Sequence, residues 1–205
     1  MASQQTSYLD KKGLTVKDLV TIGIFTALFF VFELIGGMPL VVNPATTFFL
    51  TCGISLLCGP VFLLMVAKVP KHGAIITLGI VNGLIWFATG MHWAMTVGFI
   101  AMGIVADLVA GIGKFKSAKL NILAYGLLCL GSSGSLVIYC MDPAGWVGTM
   151  ISKGTTQEFL DQLTAATPAW ILPVVWIGSL LIAALSGLIG LKLLKKQFEK
   201  AGITA

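Results

Sequence analysis

The sequence predicts an all-α protein, a polytopic membrane helical bundle of six transmembrane helices with both termini in the cytoplasm. Three observations predict this fold: the composition, the spacing of the apolar segments and the placement of the lysines. Of the 205 residues, 57% are hydrophobic and only 10% are charged, whereas a soluble domain carries about 25% charged residues. Because so few charges cannot cover a water-facing surface, we expect lipid to surround most of the chain.

Six apolar segments are long enough, or nearly so, to cross a bilayer, which takes about 20 mainly apolar residues. Together they predict a single transmembrane domain over residues 1–205, in which the third segment is the shortest. The segments are 17–36, 46–68, 74–89, 93–112, 120–141 and 169–194. Residues 1–14 are polar and no small-residue cleavage site follows them, so we expect no removable signal peptide.

The positive charges alternate with the predicted spans. All thirteen are lysines, and twelve lie before span one, between spans two and three, between spans four and five, or after span six. Only Lys153 lies elsewhere. The positive-inside rule places those twelve in the cytoplasm, and an odd number of spans would break the alternation. The charges are thus explained by a lipid bilayer, and nucleic acid is not an expected partner.

The connection 142–168 is the only long one predicted on the outer side. Within it, residues 157–163 have the pattern of a short helix, with Phe159, Leu160 and Leu163 on one apolar face. Long loops in compact domains are often functional. We therefore predict an outer loop over the bundle that acts as a lid, or alternatively a helix lying on the membrane surface.

The candidate binding residues are polar or aromatic side chains expected near the outer ends of the spans. An acid at the centre of a membrane helix costs about 2.5–3.5 kcal/mol, so Glu33 is expected to face protein or a cavity. We predict an outward-opening pocket formed by Glu33, Asn82, Trp86, His92, Trp93, Ser135, Tyr139 and Trp146. Glu33 would accept a hydrogen bond or pair with an amine, the aromatic residues would stack on a ring, and Asn82 and Ser135 would orient the ligand. Alternatively, the tryptophans are interfacial anchors.

No catalytic, metal or cofactor site is predicted. The four cysteines have no CxxC spacing, and the chain has no GxxxxGK[ST] phosphate-binding motif. We therefore predict that the chain hydrolyses no nucleotide by itself and that any energy for its function comes from a gradient or from a partner.

Two other functions stay open. A stand-alone secondary transporter or channel would use Glu33 and Asp107 as ion or proton sites. An intramembrane serine protease would use Ser133, which lies in the sequence Gly-Ser-Ser-Gly, with His92 as its base.

Small residues four positions apart mark two helix faces that permit close approach of another helix. Gly23 and Ala27 form one in span one, and Gly79 and Gly83 form one in span three. Such faces gain nothing against lipid, so they predict helix packing, either within the chain or against a partner.

The start of the first span carries a family resemblance. The sequence GLTVKDL at 13–19, running into IGIFTA at 22–27, resembles the opening of the substrate-binding S components of bacterial energy-coupling factor (ECF) transporters. Over its full length the chain resembles the Trep_Strep group of bacterial integral membrane proteins.

The resemblance implies a transport subunit of the bacterial cell membrane that is not an enzyme and has no ATPase of its own. S components bind a vitamin or another micronutrient on the outer side, under external loops. A small-residue face on their first span docks on a transmembrane T component that carries two ATPases, and the S component is thought to tip over to release its substrate inward. The matching positions here are Gly23 and Ala27. Glycine replaces the first alanine of the family pattern and still permits close approach.

Overall fold

The computed structural model describes residues 13–195, and the regular structure in this range is helical. The all-α prediction is therefore confirmed, while Lys11, Lys12, Lys196 and Lys200 of the predicted cytoplasmic set lie outside the described residues. The helices are α1 Val16–Val41, α2 Leu50–Leu57, α3 Gly59–Lys68, α4 Ala74–Ala88, α5 Trp93–Ile112, α6 Ala118–Leu130, α7 Gly134–Met141, α8 Pro143–Ser152, α9 Gln157–Ala166 and α10 Ile171–Leu193, with 3₁₀ turns at Pro44–Phe49 and Gly131–Ser133.

Several of these helices are long and apolar enough to cross a membrane. Four helical segments meet this requirement by themselves: Val16–Val41, Trp93–Ile112, Ala118–Met141 and Ile171–Leu193. The pair Pro44–Leu57 and Gly59–Lys68 makes a fifth span if it counts as one, and α4 is a shorter apolar helix of 15 residues. A multi-pass membrane protein is confirmed, and six spans remain a prediction.

The second predicted span, 46–68, is broken by a bend of 50° between α2 and α3. Pro60 lacks a backbone N–H, which removes one helical hydrogen bond at this point. The N–H of Gly59 instead donates to Ser186 Oγ at 3.2 Å. A Cβ atom on Gly59 would lie 2.5 Å from that same oxygen. The missing side chain therefore lets α10 approach the bend closely.

Glycines bring α4, α5 and the turn Gly131–Ser133 into backbone contact. A Cβ atom on Gly79 would lie 2.6 Å from the carbonyl oxygen of Phe99, and one on Gly83 would lie 3.1 Å from Thr96. The small face predicted in span three thus packs within the chain. Gly98 of α5 lies against the Gly131 carbonyl in the same way.

The lysine end is the end of the bundle that holds the start of α1, residues 69–73, residues 113–117 and the end of α10. Here Lys71 Nζ lies 2.7 Å from Asp18 Oδ2. Asp107, 1% exposed, accepts hydrogen bonds from the N–H groups of Gly73 and Ile75 at 3.0 and 3.3 Å, and His72 Nδ1 lies 2.8 Å from its other oxygen. Asp107 thereby satisfies orphan N–H groups at the start of α4.

The opposite end, the loop end, is covered by α8 and α9, which we call the roof. The predicted short helix is confirmed as α9: Thr156 caps its start, and Leu160 and Leu163 are buried. The sequence did not predict α8. The roof packs on the bundle through an apolar cluster, the roof cluster, of Phe48, Leu136, Tyr139, Trp146, Leu160, Leu163, Ile171 and Val175.

Candidate functional site

A cavity of about 310 Å³ lies beneath the roof at the loop end. Its volume is at the lower end of the range for small-molecule sites, about 300–1,000 Å³. The walls come from α2, α5, the start of α7, the turn Pro44–Phe49 and both roof helices. The lining residues are Val41, Thr47, Phe48, Leu50, Thr51, Met91, His92, Met95, Ser132, Ser133, Ser135, Leu136, Trp146, Met150, Thr155, Thr156, Phe159, Leu160 and Leu163.

Aromatic rings fix one side of the cavity. The ring centroids of Trp146 and Phe48 are 5.6 Å apart, and Tyr139 packs behind both at 5.3 and 4.8 Å. Trp146 Nε1 donates to Ser135 Oγ at 2.8 Å. Because the indole N–H is bonded and the ring is packed, Trp146 has a defined orientation.

His92 forms the junction between this wall and α5. Its ring stacks on Trp146 with centroids 6.3 Å apart and planes 23° apart. Its Nδ1 accepts a hydrogen bond from the N–H of Ala94 at 3.2 Å, which caps α5. An accepting Nδ1 leaves the proton of the neutral ring on Nε2. Burial, helped by the nearby charge of Lys153, lowers the pKa of His92 below its usual value.

This shift predicts acid sensitivity. Because the folded-state pKa of His92 is lowered, the unfolded chain binds more protons below about pH 6.5, and stability falls as the pH drops through that value. We expect His92→Asn, whose side-chain oxygen can still cap α5, to lose less stability than wild type between pH 7 and 5. Thermal unfolding in detergent at both pH values measures the difference. An equal loss in both proteins would contradict the prediction.

The eight predicted binding residues fall into separate groups. His92, Ser135 and Trp146 line the cavity, and Tyr139 supports Trp146 from behind. Trp93 is 47% exposed and borders a second, apolar groove that also contains Trp176.

Glu33, Asn82 and Trp86 lie away from the cavity, at the interface of α1 and α4. Glu33 is fully buried there and accepts hydrogen bonds from Asn82 Nδ2 at 3.0 Å and Trp86 Nε1 at 2.8 Å. Asn82 Oδ1 is buried without a hydrogen-bond partner among the described residues. We call these three residues the Glu33 cluster.

Several lining residues were not among the predicted ones. Thr51 and Met95 line the cavity from bundle helices, Phe48 from a 3₁₀ turn, and Met150 and Phe159 from the roof. The sequence did indicate Phe159, because this residue lies on the apolar face predicted for residues 157–163. Phe48 and Thr51 sit in a continuous apolar run, whose sequence gives no sign of which side faces a ligand.

Ser133 and His92 both line the cavity but bond to other groups. Ser133 Oγ donates to the Leu130 carbonyl at 2.7 Å and accepts from Trp176 Nε1 at 2.8 Å. Within residues 13–195 no hydrogen bond joins Ser133 to His92. A serine nucleophile is activated by a base within hydrogen-bond reach, and this arrangement does not supply that pair.

Comparison with known protein families identifies a family for this chain. A family model described as hypothetical bacterial integral membrane protein (Trep_Strep) matches residues 16–200. No curated protein matches the chain, and no solved structure does. The match covers nearly the whole sequence and agrees with the several apolar helices described above. The protein therefore belongs to the Trep_Strep family of bacterial integral membrane proteins.

Proposed function

We propose that this protein is the substrate-binding S component of an ECF-type importer. It captures a small, vitamin-like micronutrient on the outer side of the bacterial cell membrane. A T component with two ATPases then supplies the energy for uptake. The observation that carries the proposal is the roofed cavity at the loop end, opposite the lysine end.

The predicted orientation makes this cavity an outward-facing site. If the lysine end lies in the cytoplasm, as the positive-inside rule requires, then the roof and the cavity face outward. Six spans, with α2–α3 as one bent span and α4 as a short one, place both termini on the lysine side. A nutrient arriving from outside would meet the roof first.

An open face on α1 supports docking of a partner. A Cβ atom on Gly23 would meet nothing within 4 Å, and Ala27 is exposed. Val20, Ile24 and Leu28 beside them are also exposed. The small face of span three is used inside the chain, whereas this one is not, so a helix of another subunit can approach the α1 backbone closely here.

Enlarging this face is expected to break the complex. Gly23→Leu and Ala27→Leu should each reduce, at least about tenfold, the amount of T component and ATPases that co-purifies with the tagged chain, because the added side chain holds the partner helix away. Mass spectrometry of the purified sample in mild detergent measures this. Ala101→Leu, at an exposed alanine of α5, is the matched control and should leave recovery unchanged.

The same experiment separates this proposal from a self-sufficient carrier. A carrier driven by an ion gradient would purify without ATPases, and Gly23→Leu would not affect its transport. Uptake in cells would then stop on addition of a proton uncoupler and continue after loss of ATP. Purification without ATPases, or uptake that stops with the uncoupler but continues without ATP, would contradict the S-component proposal.

A further inference from the structure

The cavity has an uncharged lining. None of its described lining residues is Asp, Glu, Lys or Arg. Lys153, between the two roof helices, has other partners: its Nζ donates to the Met91 carbonyl at 2.7 Å and lies 4.7 Å from the centre of the Phe87 ring. Glu33 is bonded within its own cluster. An ionised ligand would lose its hydration here without gaining a counter-charge, which is strongly unfavourable.

Three polar side chains of the cavity, described in turn here, can donate a hydrogen bond to a ligand. Ser135 Oγ accepts from Trp146 and keeps its own proton for another acceptor. Thr51 Oγ1 lies 2.8 Å from Ser132 Oγ, which has one proton and also lies 2.8 Å from the Cys129 carbonyl oxygen. When Ser132 donates that proton to Thr51, the Thr51 hydroxyl has its own proton for a ligand. His92 carries its proton on Nε2, as its Nδ1 is occupied by Ala94. In the described structure the protons of Ser135 Oγ and His92 Nε2 have no acceptor on the protein.

We propose that the cavity binds an uncharged, planar heteroaromatic compound whose edge carries hydrogen-bond acceptors, such as carbonyl oxygens or ring nitrogens. Its flat face stacks on the Trp146 wall, which aromatic rings favour. Its acceptors take the protons of Thr51, Ser135 and His92. The inference rests on the proposed binding function and names the class of its substrate. It excludes carboxylates, phosphates and cationic rings as the bound form.

The test uses fractions of a bacterial metabolite extract. At pH 7 an anion exchanger and a cation exchanger divide the extract into anionic, cationic and unretained neutral fractions. The purified full chain is unfolded by heat in detergent with each fraction. We expect the neutral fraction to raise the Tm by roughly 3 °C or more, through binding to the folded state, and the charged fractions to leave it unchanged.

Two threonine variants test whether the rise in Tm comes from binding in the cavity. Thr51→Val keeps the side-chain shape but removes the donor, so we expect about fivefold more of the neutral fraction to be needed for the same Tm rise. Thr26→Val is the matched control, because Thr26 is also buried and bonds only to the Ile22 carbonyl in α1. Its response should equal that of wild type.

The outcomes separate the two proposals. Stabilisation by a charged fraction that Thr51→Val weakens would overturn the substrate class and leave the binding function standing. An equal response of the Thr51 and Thr26 variants to the neutral fraction would overturn the assignment of Thr51 as a donor. If no fraction raises the Tm, the binding function itself fails.

Discussion

Replacement of Gly98 by alanine is expected to lower the free energy of unfolding by about 2–3 kcal/mol. Gly98 lies where α5 crosses the turn Gly131–Ser133, and a Cβ atom there would overlap the carbonyl oxygen of Gly131. Gly134 approaches the Ala94 carbonyl equally closely on the next turn of α5. Because both sides of this contact are backbone, no side-chain rotation can relieve the overlap, and the helices must move apart.

Gly148→Ala is the matched control for this substitution. Gly148 also lies in a helix, α8, but a Cβ atom there meets nothing within 4 Å. Alanine is favoured over glycine within a helix by about 0.8–1.0 kcal/mol, so Gly148→Ala should be neutral or slightly stabilising. Equilibrium unfolding in mixed detergent and SDS micelles measures both variants. Equal stability of the two would mean that α5 and the turn are not in backbone contact.

Glu33→Ala is expected to cost about 3–5 kcal/mol of unfolding free energy, because it leaves two buried donors, Asn82 Nδ2 and Trp86 Nε1, without an acceptor. Each unpaired buried group costs about 1–3 kcal/mol, and the vacated volume adds to the loss. The Glu33 cluster joins α1 to α4 at full burial. We expect unfolding in mixed micelles to show the loss and co-purification of partners to fall with it.

Glu33→Gln tests whether the cluster acts only in folding. Its carbonyl oxygen can accept from Trp86, and its amide can donate to the unpartnered Asn82 Oδ1 once the Asn82 amide turns over. Stability should therefore stay within about 1 kcal/mol of wild type, with ligand stabilisation unchanged. If Glu33→Gln folded normally but lost ligand stabilisation or uptake, Glu33 would act on substrate or on a coupling ion instead.

The helices were predictable because lipid imposes a simple requirement of length and low polarity. Predicted spans 93–112 and 74–89 coincide with α5 and α4 to within one residue. The bend at Gly59 was missed because Pro60 lies within an uninterrupted apolar run. Helix α8 was missed for another reason. Pro143 and the glycines after it are typical of loops, and the packing of the buried Trp146 side chain against the bundle overrides that local preference.

The site was harder to predict than the helices. Glu33 and His92 lie near the same end of their spans, and the position of each residue along its span can be read from the sequence. The sequence does not determine which way each side chain points, because helices that are apolar on every side give little indication of their inner face. Tertiary packing turns Glu33 towards α4 and His92 towards Trp146. The prediction placed Glu33 and His92 in one site because they lie at a similar depth in the membrane, whereas the packing of the helices places them in different sites.

The roof cluster also has a kinetic consequence. Phe48, Trp146, Leu160 and Leu163 belong both to the contacts that hold α9 in place and to the walls of the cavity. Under the proposed function, a bound molecule that touches these side chains would add to the same packing, and lifting the roof would break its contacts together with those of α9. Occupancy would therefore slow opening, and release would follow the rate at which this cluster comes apart.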